Sequence, residues 1–176
     1  MYVDILILAE LTSQPYHGYE LKRRVERILG GTVTINANQL YPTLRRFEEM
    51  GAVSREVERQ LGKPDRHIYS ITDRGLEVLQ DLLQDFPPEI ARSDAEFGSR
   101  VAYFHLLEPR ARLAILTTRE QALRHHLQHL EQSQKLVSEN NASQLFYVAH
   151  FLSFQQQQLQ HELAWLSSLI KEVETR

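Results

Sequence analysis

Residues 36–51 read NANQLYPTLRRFEEMG and predict one amphipathic helix. Their apolar side chains recur at steps of four, three and three, which places them on one side of a 3.6-residue spiral. The side chains expected to be buried are Leu40, Leu44, Phe47 and Met50. Asn36 is a suitable N-cap, and Gly51 can adopt the left-handed conformation that ends a helix. Pro42 lies beyond the first turn, so we expect a local bend there.

The rest of this helix presents polar groups. Amide, phenol, hydroxyl and guanidinium groups read base edges and hold phosphates in protein–DNA complexes. The residues that carry them are Asn36, Asn38, Gln39, Tyr41, Thr43, Arg45 and Arg46. We therefore interpret residues 36–51 as a recognition helix. Tyr41 has an intermediate angle on the helix and could instead belong to the boundary of the core.

The elements around this helix complete a winged helix-turn-helix. Apolar periodicity, turn residues and β-forming residues predict the flanking elements. They are helices at 3–12 and 19–29 with a turn at 13–18 between them, strands at 52–59 and 67–71, and a helix from Thr72 to about residue 83. The buried side of the second helix is expected to hold Leu21, Val25, Ile28 and Leu29. This order of elements places the wing at residues 59–67.

Basic residues cluster where such a fold would meet DNA. Arg23 shares a helix face with Arg24 and Arg27, which is either a phosphate-contacting surface or a solvated helix face. Lys63 and Arg66 flank the turn of the wing. They would contact phosphates there, or simply form the soluble tip of a hairpin.

The second half of the chain has the pattern of long helices. Phe86-Pro87-Pro88 marks a boundary near residue 87, and helices without any strand are expected at 89–106, 109–138 and 143–174. Apolar residues at intervals of seven in the last helix indicate packing at shallow angles, and we assign them to dimerisation. They are Leu145, Leu152, Leu159, Leu166 and Val173. The predicted fold is mainly α, with a winged-helix DNA-binding domain at 1–86 and a helical dimerisation domain at 87–176.

The composition is that of a globular protein without thiol chemistry. The chain has 176 residues, of which 42% are hydrophobic and 24% charged, and no cysteine, which excludes disulfides and thiolate sites. The N-terminal apolar run lacks a basic leader and is too short to span a bilayer, so we expect a cytoplasmic protein with no membrane partner. The net charge of −3 does not favour nucleic-acid binding, so any affinity for DNA must come from local placement of basic residues.

Motifs of enzymes are absent from the sequence. It has no phosphate loop, dinucleotide-binding glycine motif, His-Glu-x-x-His sequence or nucleophile elbow. His125 and His129 have a spacing that can bind zinc, but no third ligand follows at a compelling interval. We therefore interpret these histidines as part of a polar helix face and expect no enzyme activity, cofactor or metal.

Five motifs follow one another within residues 3–83. They are Pro15-Tyr16-His17-Gly18-Tyr19-Glu20-Leu21, Leu40-Tyr41-Pro42-Thr43-Leu44, Phe47-Glu48-Glu49-Met50-Gly51, Gly62-Lys63-Pro64-Asp65-Arg66 and Tyr69-Ser70-Ile71-Thr72-Asp73-Arg74-Gly75. Together they resemble the motifs of the PadR family of bacterial transcription regulators. The resemblance implies a homodimer that binds an inverted repeat in double-stranded DNA, usually as a repressor. It implies that Tyr41 and its helix neighbours lie near DNA, with Lys63 and Arg66 on the wing. By architecture, the long helical part looks like the branch of phenolic-acid repressors and virulence regulators.

Two departures from the family pattern affect the expected target. Members often carry Ser and Gly-Thr where this chain has Asn36 and Asn38-Gln39, so its operator is expected to differ. Asp65 adds negative charge to the wing and should weaken its hold on phosphate.

A regulator also needs a ligand or partner that favours one geometry, which leaves open a small-molecule effector that the sequence does not identify. The competing interpretation is a winged-helix protein-interaction module that never binds DNA.

Overall fold

A computed structural model describes residues 1–31, 34–59, 66–139 and 145–175. Its helices and strands are α1 Tyr2–Leu11, β1 Tyr16–His17, α2 Gly18–Ile28, α3 Ala37–Glu49, β2 Val53–Glu58, β3 Arg66–Ile71, α4 Asp73–Gln84, α5 Asp94–Val101, α6 Pro109–Glu139 and α7 Phe146–Glu174. Short 3-10 turns lie at Pro88–Ile90 and Phe104–Leu106. The predicted class, mainly α with a winged helix-turn-helix followed by long helices, is confirmed. Across the described ranges, no helix is long and apolar enough to cross a membrane.

The chain divides into two compact units. The first unit is Met1–Phe86 with Ser93–Glu108, and the second is Pro87–Arg92 with Pro109–Arg176. This division places the segment after residue 92 with the winged helix, whereas the sequence suggested a boundary near residue 87. The functional assignment of the domains 1–86 and 87–176 stays a prediction.

The first unit contains the predicted winged helix and one strand that the sequence did not predict. β3 lies between β1 and β2 and is antiparallel to both, with Tyr69 opposite Tyr16 on one side and Arg55 on the other. β1 has only two residues and falls within the stretch 13–18, where proline and glycine predict a turn. The tip of the wing, with Lys63, lies outside the described residues.

The core of the first unit forms around α1, in which residues 5–9 and Leu11 are all buried. The apolar side of α3 is buried as predicted, through Leu40, Leu44 and Phe47. Met50 and Ile28, expected in the core, are instead 48% and 39% exposed. Both lie at the C-terminal end of a helix. The spacing of apolar residues continues there, but neighbouring elements no longer cover these side chains.

The end of α3 is fixed to the start of α4 through Thr72 and Gly75. Thr72 accepts a hydrogen bond from the Gly75 N–H at 3.1 Å and donates its hydroxyl proton to the Gly51 carbonyl at 2.7 Å. A Cβ atom on Gly75 would lie 2.1 Å from the Ala52 carbonyl oxygen, so only glycine permits this approach. Gly51 has a φ of 69°, the left-handed conformation predicted for it. The position of α3 therefore depends on this junction.

Residues 89–106 do not form the single helix predicted for them. α5 covers only Asp94–Val101 because Ser93 begins a new helix by accepting from the Glu96 N–H at 3.3 Å. Beyond α5, the Tyr103 hydroxyl donates to the buried Glu10 carboxylate of α1 at 3.0 Å. This hydrogen bond helps to hold the segment in the first unit.

In the second unit, α6 and α7 pack along each other. Arg119 is 2% exposed and donates to the Glu162 carboxylate at 2.8 Å and the Ala91 carbonyl at 2.9 Å. At the centre of the predicted seven-residue row, Leu159 and Leu166 are 8% and 0% exposed. These two residues are covered within the chain and are not available to a second copy. A heptad pattern predicts long helices at shallow angles, but it does not say whether the partner helix belongs to the same chain.

Candidate nucleic-acid interface

The start of α3 is set by a reciprocal capping box. The Gln39 N–H donates to Asn36 Oδ1 at 2.9 Å, and the Asn36 N–H donates to Gln39 Oε1 at 3.2 Å. Asn36 and Gln39, predicted to contact DNA, each use a side-chain oxygen to begin the helix. Both residues are exposed. Since the cap uses neither amide nitrogen, their predicted DNA contacts remain compatible with it.

The outward face of α3 is formed by Asn38, Tyr41 and Arg45. All three are exposed, and with Pro42 and Glu49 they line a shallow concavity of about 410 Å³. An amide, a phenol and a guanidinium group therefore share one surface along two turns of the helix. Thr43, also predicted to contact DNA, is half-buried and offers less surface.

Arg46 is tied to α1 and is not a free cation for phosphate. Its guanidinium group donates to the Asp4 carboxylate at 2.5 Å and lies 5.2 Å from the centroid of the Phe47 ring. The Asp4 side chain is only 17% exposed, so removal of Arg46 would leave a largely buried carboxylate without its partner. We therefore assign Arg46 a structural role beside the interface, and its predicted DNA contact would require this pair to break.

The three arginines of α2 have different surroundings. Arg24 donates to the buried Glu10 carboxylate at 2.6 Å and lies 4.8 Å from the Tyr16 ring centroid. The hydrogen bond to Glu10 raises the pKa of Arg24. The positive charge of Arg24 is therefore paired with the Glu10 carboxylate. Arg23 and Arg27 are exposed. They remain the candidates for phosphate contact on this helix.

Of the two wing residues predicted to contact phosphate, Arg66 lies within the described ranges and Lys63 lies outside them. Arg66 begins β3, is exposed, and lies opposite Glu58 of β2. Arg66 and Arg23 line the same concavity beside α3. The base of the wing therefore brings a guanidinium group close to the cations of α2.

Tyr69 is a candidate that the sequence did not single out. The sequence predicted it only as part of the strand at 67–71, and the residue is 5% exposed. However, it lines the concavity shared by Arg23 and Arg66, and Tyr41 of α3 lines that concavity as well. The only sequence signal was its place at the start of the motif Tyr69–Gly75.

The histidines of α6 do not form a recognisable metal centre. The rings of His125 and His129 are exposed and their centroids lie 4.5 Å apart. His126 contacts Arg92, with Nη2 of the arginine 3.1 Å from Nε2 of the ring. Burial and the Arg92 charge lower the pKa of His126. The described part of the chain contains no group of three or more potential metal ligands.

Comparison with known proteins connects the first unit to a family of regulators. The model of the transcriptional regulator PadR-like family matches residues 7–81, which contain α2, α3 and both strands of the wing. This is a family of transcription regulators and not of enzymes. A probable transcriptional regulator from Mycobacterium tuberculosis is 41% identical over 69 residues, which cover 39% of this chain. The match spans only 36% of the length of that relative.

Solved structures with similar folds include two PadR proteins. Bacillus subtilis PadR in complex with operator DNA is 20% identical, with 98% of this chain and 99% of that chain covered and a TM-score of 0.47. A PadR family transcriptional regulator from Eggerthella lenta is 34% identical, with 46% of this chain and 67% of that chain covered and a TM-score of 0.39.

Proposed function

Because the chain belongs, through residues 7–81, to the transcriptional regulator PadR-like family, we propose that it is a sequence-specific DNA-binding regulator. It acts as a homodimer on an inverted repeat in double-stranded DNA, with one recognition helix in each major groove. Two-fold symmetry then sets the half-sites about one helical turn, roughly 34 Å, apart. Repression is the expected outcome, as the resemblance to the family implies, and the expected compartment is the cytoplasm.

The observation that supports this proposal best is the division of α3 into two faces. Leu40, Leu44 and Phe47 are 0–2% exposed and anchor the helix to the core. Asn38, Tyr41 and Arg45 project from the same helix into solvent. A helix with a rigid apolar anchor and exposed bidentate donors is suited to base readout. The net charge of −3 does not oppose this, because the exposed arginines lie together beside this face.

A second copy of the chain is expected to pack on an aromatic stripe of α7. Tyr147, Phe151, Phe154 and Trp165 fall within about 60° of one another around the helix axis at 100° per residue. They are 83%, 58%, 52% and 45% exposed, respectively. The buried row of Leu159 and Leu166 lies on a different side of the helix. An exposed apolar stripe of this length usually marks a protein–protein interface, so we propose it as the dimer surface in place of those two leucines.

Replacing Phe151 and Phe154 together with serine is expected to turn the dimer into a monomer. Each exposed ring contributes roughly 1.5–3 kcal/mol when buried, and two-fold symmetry removes each ring twice. Dissociation should therefore become at least about 100-fold easier. Analytical ultracentrifugation over a concentration series measures this, with circular dichroism to show that α7 stays helical. The matched control replaces exposed Gln157 and Gln160 of the same helix with serine and should leave the dimer intact.

A monomeric unmodified chain would contradict the homodimer. If the Phe151 and Phe154 variant and its glutamine control both stay dimeric, the aromatic stripe is not part of the interface. The two copies would then pair through another surface. A small-molecule effector would act by favouring one arrangement of the two copies.

The function as a whole is tested by selecting duplexes from a random pool with the unmodified chain. We expect a two-fold symmetric consensus, with binding that weakens steeply as salt rises because phosphate contacts release counterions. The affinity ratio between the selected duplex and a scrambled duplex of equal length measures the specificity. A ratio near one, with little dependence on salt, would favour the protein-interaction module over the regulator.

A further inference from the structure

A concavity of about 540 Å³ lies where the start of α2, the ring of Tyr41 and strand β3 meet. Its lining includes His17, Gly18, Arg23, Tyr41, Arg66 and Tyr69, all in the first unit. Tyr41 also lines the outward face of α3. The concavity therefore adjoins the surface proposed to read DNA, but it is a separate site.

Tyr69 supplies this concavity with a phenol from a buried residue. The residue is 5% exposed, and its hydroxyl makes no hydrogen bond to any residue in the described ranges. The hydroxyl is not among the buried side-chain atoms that lack a partner in the described ranges, so it faces the open concavity, where it can bind a water or a ligand. Burial raises the pKa of the Tyr69 phenol, so the hydroxyl keeps its proton at neutral pH and can donate it in a hydrogen bond.

Tyr41 brings a second phenol to the same place. Its ring packs on the backbone of Gly18, where an added Cβ atom would lie 3.0 Å from Cε1 and 3.2 Å from the hydroxyl of Tyr41. Because Gly18 has no side chain, the Tyr41 hydroxyl can reach the first turn of α2. The two phenols therefore line one concavity from α3 and from β3.

The other polar groups around the concavity favour an anion. Arg23 and Arg66 are exposed at its edge. α2 has 11 residues, and its N-cap His17 makes no side-chain cap hydrogen bond, so the N–H groups of the first helical turn have no acceptor from that side chain. Glu20 is the only acid among the described lining residues. Phenols, guanidinium groups and helix N–H groups together match the oxygens of a phosphate.

We propose that this concavity binds one phosphate group of the DNA backbone through the Tyr69 hydroxyl and the charges of Arg23 and Arg66. The proposal rests on the proposed function, since the DNA held by α3 brings the phosphate to the site. Backbone contacts of this kind fix the register of a recognition helix without reading sequence. Free phosphate has the same oxygens, so the experiments distinguish a phosphate within DNA from one in solution.

The first experiment compares Tyr69→Phe with the unmodified chain on a duplex selected from a random pool. The substitution removes only the hydroxyl, and without its hydrogen bond to a charged group binding should weaken roughly 10-fold for each half-site. The slope of log affinity against log salt should not change, because no charge is removed. Tyr16→Phe is the matched control. Tyr16 lies opposite Tyr69 in the sheet and is 6% exposed, but its hydroxyl is already bonded to that of Ser13 at 3.1 Å.

The second experiment removes charge from the same site. Arg23→Gln should weaken binding and reduce the steepness of the salt dependence by about 0.9 for each phosphate that the protein no longer neutralises. Arg110→Gln makes the same change of charge on exposed Arg110 of α6 and should leave the slope unchanged. A third arm adds inorganic phosphate at constant ionic strength. It should weaken DNA binding by the unmodified chain more than DNA binding by Tyr69→Phe, because free phosphate then competes with the DNA phosphate for the same site.

The outcomes separate this inference from the proposed function. If the unmodified chain binds DNA selectively and Tyr69→Phe keeps full affinity, the phosphate site is wrong. The proposed function as a DNA-binding regulator would be unaffected. If inorganic phosphate binds in a Tyr69-dependent way while DNA affinity is unaffected by Tyr69→Phe, free phosphate is the ligand and the DNA contact is wrong. An unmodified chain that binds no duplex selectively would overturn both.

Discussion

Replacing Arg100 with alanine is expected to lower the free energy of unfolding of the first unit by about 3–5 kcal/mol. Arg100 is 0% exposed, and its guanidinium group donates to the Glu96 carboxylate at 2.8 Å. It also donates to the carbonyl groups of Leu82 at 3.1 Å and Asp85 at 2.7 Å, at the end of α4. The substitution would leave the Glu96 carboxylate and these partly buried carbonyl groups without this donor, and would open a cavity beside the Phe86 ring.

The charge state of Glu96 explains why the loss of stability in Arg100→Ala should be large. Burial tends to raise the pKa of Glu96, but hydrogen bonds from Arg100 and from the Tyr2 backbone lower it below its usual value overall. The carboxylate is therefore ionised at neutral pH, and removal of Arg100 takes away the side-chain hydrogen bond that contributes most to keeping it so. Arg100→Met with Glu96→Gln should be less destabilised than Arg100→Met alone, because the uncompensated charge is then absent.

The matched control for this pair is Arg74 in α4. Arg74 and Glu77 form an ion pair at 2.7 Å, but their side chains are 58% and 66% exposed. Arg74→Ala should therefore change stability by no more than about 0.5 kcal/mol. Since the two units need not unfold together, hydrogen exchange in peptides from α4 and α5 is the suitable measurement. Equal protection in Arg100→Ala and Arg74→Ala would show that the buried network does not stabilise the first unit.

Local sequence rules predicted the parts of α3 that depend on local structure. The apolar spacing of Leu40, Leu44 and Phe47 predicted their burial because burial follows the helix period when a helix packs along its length. Asn36 and Gly51 were predicted as the two ends of the helix because capping depends on backbone groups within one turn. The winged helix was predicted from the order of these helices and strands, because few folds have that order.

Contacts between residues far apart in the sequence were not predictable in this way. Arg46 and Arg24 belong to basic clusters by composition, yet each is paired with a carboxylate of α1. Tyr69 was predicted as an ordinary strand residue because its neighbours in the concavity come from α2 and α3. The sequence therefore predicts which residues are exposed on α3 better than it predicts which arginines are free to meet phosphate.

Replacing Arg45 with alanine is expected to weaken binding to the selected duplex by roughly 100-fold or more. A bidentate contact to a base contributes about 1–3 kcal/mol of discrimination, and a homodimer makes it in both half-sites. Arg45 is exposed and makes no hydrogen bond or ion pair with the described residues, so folding should be unaffected. Fluorescence anisotropy on selected and scrambled duplexes measures the affinity and the specificity ratio together.

Arg46→Ala is the matched control next to it in the chain. It breaks the pair with Asp4, so it should reduce stability while keeping the specificity ratio of the unmodified chain. Arg45→Ala should lower that ratio, because base contacts are made only with the selected duplex. Equal weakening on both duplexes, with a shallower salt dependence, would instead make Arg45 a phosphate contact. If neither affinity nor slope changes, Arg45 does not contact DNA, and this result would favour the competing interpretation, in which the winged helix binds another protein.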